Sequence, residues 1–194
     1  PPRSTLSPSS AASDVYKRQL DGSGMRFEEL VKLCERLERM NKRSEMVELV
    51  ADFLKRLGPE EIEPAALMLL GRPFPKWSQR SLEVSWATLW NLIKRLTGVR
   101  VQEFRAAFNK TGDLGEATKL VWSSSRVRRQ ATLLEKPLTI LEVEKTFERV
   151  AGAKGAGARE RKERILEVLL GSHMSEMTLI FSRRLELSVH SDFS

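Results

Sequence analysis

Phe27, Leu30, Val31, Cys34, Leu37 and Met40 fall on one face of a helix, with Glu28, Glu29, Lys32, Glu35 and Arg36 on the other. This three-to-four residue period returns along most of the chain. No segment shows sustained alternation of apolar and polar residues between turn signals, so strands have no foothold. The pattern constrains the fold to all-α: a multi-helix bundle of about eight to ten helices.

Local signals divide the chain into those helices. Ser44 is expected to cap a second helix whose buried stripe is Met46, Val47, Val50, Phe53, Leu54 and Leu57. Gly58-Pro59 ends it, and Pro64 opens a short helix over 65–70. Residues 71–84 form a connection containing Pro73, Pro75 and Trp77. Ser85 caps the next helix, which ends at Gly98, and a further helix covers Val101 to Phe108. Another runs from about Gly115 through Trp122. Thr139-Ile140-Leu141-Glu142 has the form of a capping box, followed by an apolar face of Ile140, Val143, Phe147 and Val150. Two more helices are expected, one through Ile165 to Leu170 and one from Glu176 to about Leu185. The tryptophans between 77 and 90 lie beside Leu and Ile and read as core residues rather than base-stacking platforms.

The two ends differ from the rest. Residues 1–24 are rich in Pro and Ser without period, and helical patterning begins at Met25. We read 1–24 as a disordered arm or an artefactual tail, 25–185 as the helical domain, and 186–194 as a frayed end.

The charge balance points to a polyanion. The chain of 194 residues carries a formal net charge of +7, and its pI is about 9.8. Cys34 is the one cysteine, so no internal disulfide forms, and it reads as a small core residue. His173 and His190 have no partners at metal-ligand spacing, which predicts no metal site. No apolar run approaches the roughly 20 residues that a membrane span needs. An intracellular location, cytoplasmic or nucleoid in a prokaryote, is the default expectation, with no membrane partner.

Two glycine loops stand out. Lys110-Thr111-Gly112-Asp113-Leu114-Gly115-Glu116 precedes a helix, and Gly152 to Lys162 enters another with Arg159, Arg161 and Lys162 in its first turn. A helix that begins at such a loop turns free N–H groups outward, which suits phosphate. Either loop is equally an ordinary turn with solvated charges.

In order, these features resemble the N-terminal DNA-binding domain of ATP-dependent DNA ligases of the archaeal and eukaryotic replicative type, over about Met25 to Arg184. Arg43-Ser44-Glu45-Met46 looks like the family's Arg-containing start of its second helix. Gly112-Asp113-Leu114-Gly115 matches its Gly-Asp-aliphatic-Gly loop. Gly155, Gly157, Ala158 and Lys162 follow its Gly-x-Gly-Ser-x-x-x-Lys segment, with Ala158 where Ser is common. Ser182 departs from the family's Arg in its last helix.

The resemblance implies a monomeric helical domain that grips double-stranded DNA, especially nicked DNA, along the minor groove without reading sequence. Its implied contacts are Arg43, Ser44, Gly112, Leu114, Gly115, Gly155, Gly157, Ala158 and Lys162. Asp113 is counted with that loop and is expected to cap the next helix or to hold the loop shape, because a carboxylate repels phosphate. Sealing in this family uses an adenylated lysine in Lys-x-Asp-Gly; the one Asp-Gly here is Asp21-Gly22, with Gln19 at the lysine position. The chain is thus read as the DNA-binding part of a ligase for replication, repair and recombination. Its partners are DNA and the catalytic domains of the same enzyme. No catalytic residue is assigned, and ATP and Mg²⁺ are expected only on those other domains. The competing readings are a helical protein-interaction scaffold and an independent DNA-binding module.

Overall fold

The structure is a computed structural model that describes residues 24–112, 114–124, 137–171 and 173. All but Gly24 of the expected arm over 1–24, together with Asp113, the basic group Arg126, Arg128 and Arg129, the helix expected at Glu176 and the end at 186–194, lie outside the described residues. Among the described residues the fold is all-α, with eight helices. They are α1 (Phe27–Glu38), α2 (Arg43–Leu54), α3 (Pro59–Leu69), α4 (Trp86–Thr97), α5 (Val101–Thr111), α6 (Leu114–Ser124) and α7 (Ile140–Gly152). The eighth, α8, covers 158–171.

Most of these boundaries come from caps that need only a few neighbouring residues. Ser85 accepts a hydrogen bond from the Thr88 amide at 3.2 Å, and Gly98 closes α4 in the left-handed region at φ 67°. Thr139 and Glu142 form the expected reciprocal box: Glu142 N donates to Thr139 Oγ1 at 3.2 Å, and Thr139 N donates to Glu142 Oε2 at 2.9 Å.

Four local expectations are corrected. Ser44 does not cap α2; Lys42 occupies that position without a side-chain cap, and Ser44 lies exposed in the first turn. The α2 stripe is only partly covered: Phe53 and Leu57 are buried, but Val47 is exposed. Pro64 does not open a short helix. The helix begins at Pro59, where a missing N–H is harmless, and Pro64 sits inside it. Gly58 therefore starts α3 rather than stopping α2, because Glu61 reaches back to accept its amide at 2.9 Å.

Two clusters fill the interior. The larger draws Phe27 and Leu30 from α1, Phe53 from α2, Met68 from α3, Leu92 from α4, Val143 and Phe147 from α7, and Leu166 and Leu170 from α8. Cys34 is buried, as its helical position implied. The smaller cluster joins α5 to α6 through Phe104, Ala107, Ala117 and Val121. Trp90 packs against it, with its ring 4.6 Å from that of Phe104.

The segment before α1 lies antiparallel to the segment before α7. Phe27 N donates to Leu138 O at 2.8 Å, and Ile140 N donates to Met25 O at 3.1 Å. Beneath this pairing sits Glu61, 4% exposed, whose other carboxylate oxygen accepts the Met25 amide. The connection between α3 and α4 is likewise fastened rather than loose. Phe74 and Leu82 are buried, and Arg80 lies over the Phe74 ring while pairing with Glu148 of α7 at 3.1 Å. Trp77 departs from its expected place in the core: it is 84% exposed on this connection. No helix of the described residues is long and apolar enough to cross a membrane.

Candidate nucleic-acid interface

Arg43 and Ser44 form the first turn of α2, and both are exposed. Lys42 pairs with Glu45 at 2.9 Å across this turn. Arg43 makes no hydrogen bond or ion pair with the described residues, so its guanidinium fork is available to an outside anion.

Gly112 ends α5 in the left-handed region at φ 68°. A Cβ there would meet nothing within 4 Å, so the backbone conformation, not crowding, calls for glycine. Its amide is already donated to Phe108 O at 2.7 Å and offers nothing to a ligand. Leu114 and Gly115 are the first residues of α6, which begins immediately beyond Asp113. This loop therefore presents a helix start, with Lys110 exposed at the end of the helix before it. Gly112→Ala is expected to lower stability by about 1–2 kcal/mol through the left-handed backbone alone. Thermal melting of the variant measures it.

The third stretch has the most definite geometry. Gly155 and Gly157 both take positive φ, 77° and 70°. Ala158 N donates to Gly155 O at 3.1 Å, which closes the turn into α8. Arg161 folds back over the loop: its Nη2 donates to Lys154 O at 2.6 Å and its Nη1 to Ala156 O at 2.8 Å. Two carbonyls of this stretch are thereby taken up by the guanidinium. Among the described residues, the amides of Gly155, Ala156, Gly157, Arg159 and Glu160 find no acceptor. A run of open donors at a helix N-terminus is the arrangement that binds phosphate oxygens. Arg159 pairs with Glu163 at 3.0 Å, so the basic first turn has internal reasons as well.

Lys162, an implied contact of this stretch, is buried in the free domain. The residue is 6% exposed, and its ammonium donates to Leu82 O and to Glu83 Oε2, each at 3.0 Å. A buried ammonium needs such partners. Glu83 supplies one from a backbone at φ 47°, the sole non-glycine residue in that region among those described. Lys162, by its hydrogen bond first and its charge second, holds the Glu83 carboxyl below the ordinary carboxylate range. That linkage adds stability above the ordinary range and loses it as pH falls through the lowered value.

The structure thus places each candidate residue outside Asp113. No backbone hydrogen bond between described residues outside the helices joins one of the three stretches to another. Sequence reasoning did not find the loop clamp made by Arg161. Its signal was present as a cation where the helix dipole disfavours one. Among the described residues no group of three or more His, Cys, Asp or Glu side chains is arranged to hold a metal ion.

The family described as DNA ligase N terminus matches residues 26–185. The chain is 39% identical over 145 residues to DNA ligase 1 of Korarchaeum cryptofilum, covering 74% of this chain and 25% of that protein. It is 35% identical over 142 residues to the DNA ligase of Thermococcus onnurineus, covering 73% and 25%. It is 33% identical over 162 residues to the DNA ligase of Pyrobaculum islandicum, covering 82% and 27%. The chain spans about a quarter of the length of these relatives. A basic all-helical fold, its glycine loops and these matches agree: the chain belongs to the DNA ligase N-terminal family.

Proposed function

We propose that this chain is the DNA-gripping domain of an ATP-dependent DNA ligase. It holds duplex DNA, nicked duplex above all, through backbone phosphates and without sequence preference. One observation carries the reading beyond family membership. The loop at Lys154–Ala158 keeps the Lys154 and Ala156 carbonyls on the Arg161 guanidinium and leaves a row of amides open at the start of α8. Amides and helix starts bind phosphate regardless of the base attached. A ligase requires that indifference, because nicks arise at any sequence.

In this reading Arg43 pairs with a phosphate by its fork, and the start of α6 and the start of α8 hold others. Ala158 contributes its position and no hydroxyl. Lys162 acts behind the surface, fixing the connection to α8. Adenylation and sealing belong to the further length found in the relatives, with ATP and Mg²⁺ bound there, and the domain acts as a monomer in the cell interior.

Fluorescence anisotropy with nicked, intact and single-stranded DNA over a salt series tests this. About five phosphate contacts give a log–log salt slope near −4.5 for duplex, equal for unrelated sequences. Arg43→Gln is expected to make that slope shallower by about 0.9 while weakening all sequences alike. Binding that is independent of salt, as expected of an interaction scaffold, overturns the proposal. Strong sequence preference with dimeric stoichiometry, as in an independent regulator, does so too.

A further inference from the structure

Beside the glycine loop, α7 and α8 leave a cleft of about 510 Å³. Arg149, Arg161 and Arg164 rim it, and Leu138, Ile165 and Val168 contribute apolar surface. We propose that this cleft is a second cradle for the sugar–phosphate backbone of duplex DNA, with Arg149 and Arg164 as its phosphate ligands. The proposal rests on the DNA-binding reading above and extends the contact surface beyond the three stretches with family counterparts.

The charges of α8 are sorted by direction. Lys162 pairs with Glu83, Glu163 with Arg159, and Glu167 with Arg95 of α4 at 2.9 Å. Arg149 and Arg164, both exposed, make no hydrogen bond or ion pair with the described residues. Among the described residues, no acidic side chain lines the cleft they share. The dipole of α7 favours a cation at Arg149, in its last turn, but gives no reason for Arg164 on α8. Two unpaired guanidiniums across one concave surface form a site for an anion with more than one charged group.

The lining favours a nucleic-acid strand. Val168 is 71% exposed beside Ile165, which gives an apolar surface for the C–H faces of deoxyribose between phosphates. Arg161 belongs both to the cleft and to the loop whose carbonyls it holds, so the two anion-binding surfaces are continuous. A strand with one phosphate on the loop amides passes over Arg161 and into the cleft.

The test uses the full chain, a fluorescein-labelled nicked duplex and a KCl series. Arg149→Gln/Arg164→Gln is expected to make the log–log slope shallower by about 1.8. The loss of affinity between 0.05 and 0.2 M salt then shrinks by about 12-fold. Arg149→Lys/Arg164→Lys retains the charges and is expected to retain the slope. Melting curves of both variants should match the parent, because neither side chain is buried or bonded. If the parent binds DNA with a steep slope and the glutamine variant keeps it, the cleft proposal is overturned while the DNA reading stands. If the parent itself shows no salt-dependent binding, the underlying reading fails and takes the cleft with it. An unchanged DNA slope with lost binding to poly-glutamate assigns the cleft to an acidic protein segment, and also overturns the proposal.

Discussion

Glu61→Ala is expected to lower folding stability by about 3–5 kcal/mol, more than any surface change to the DNA-binding stretches. The side chain is nearly inaccessible, and its two oxygens serve two different backbone segments. One accepts the amide of Met25, in the segment that pairs with the residues before α7. The other accepts the amide of Gly58 at the start of α3. Each buried N–H left without an acceptor costs about 1–3 kcal/mol, and the vacated space adds to it. Glu61→Gln keeps one acceptor oxygen and turns an NH₂ group toward the second amide, so it should recover only part of the loss. Gly24→Ala attacks the same arrangement from outside, since a Cβ there would lie 2.7 Å from Glu61 Oε1. Urea denaturation checks the order of the two Glu61 variants, Glu61→Ala lowest and Glu61→Gln above it, and that Gly24→Ala also falls below the parent. A loss below about 1 kcal/mol for Glu61→Ala would mean that water replaces the carboxylate at both amides.

What the sequence made legible follows from how far each signal reaches. Ser85, Gly98 and the Thr139–Glu142 box act on neighbours within four residues, so composition and spacing suffice. The all-α class follows from the same local period repeated many times. Pro64 misled because proline is permitted at a helix start and is tolerated within a helix when packing compensates, and only the fold distinguishes the two. Trp77 misled because apolar character does not say which large side chains remain outside. The roles of Glu61 and Lys162 depend on partners 36 and 80 residues away, which no local pattern contains. The candidate site was legible as an order of loops. Its geometry was not: which amides stay open is decided by Arg161 reaching back to carbonyls five and seven residues before it.

Lys162→Ala is expected to lower stability by about 2–3 kcal/mol and to leave the salt slope of DNA binding unchanged. The energetic loss comes from the inside. The Leu82 carbonyl, on a residue 2% exposed, loses a charged donor, and the lysine stem leaves a gap between α8 and the connection. Glu83 loses its partner too, but its carboxylate is solvated and that pair contributes little. Lys162→Met fills the gap and removes the cost of burying an ammonium, so it should fall about midway between parent and alanine variant. The slope separates two roles that a loss of affinity alone confuses. An ammonium on phosphate releases a counterion, and its removal makes the slope shallower by about 0.9. An ammonium committed to Leu82 and Glu83 does not. Lys162→Met with an unchanged slope, set beside the shallower slope of Arg43→Gln, assigns Lys162 to positioning α8 against the connection. A slope change of about 0.9 instead means that the ammonium leaves Leu82 for the DNA backbone on binding. The price of that exchange would be an uncapped buried carbonyl, and the free domain would then hold its phosphate ligand in reserve.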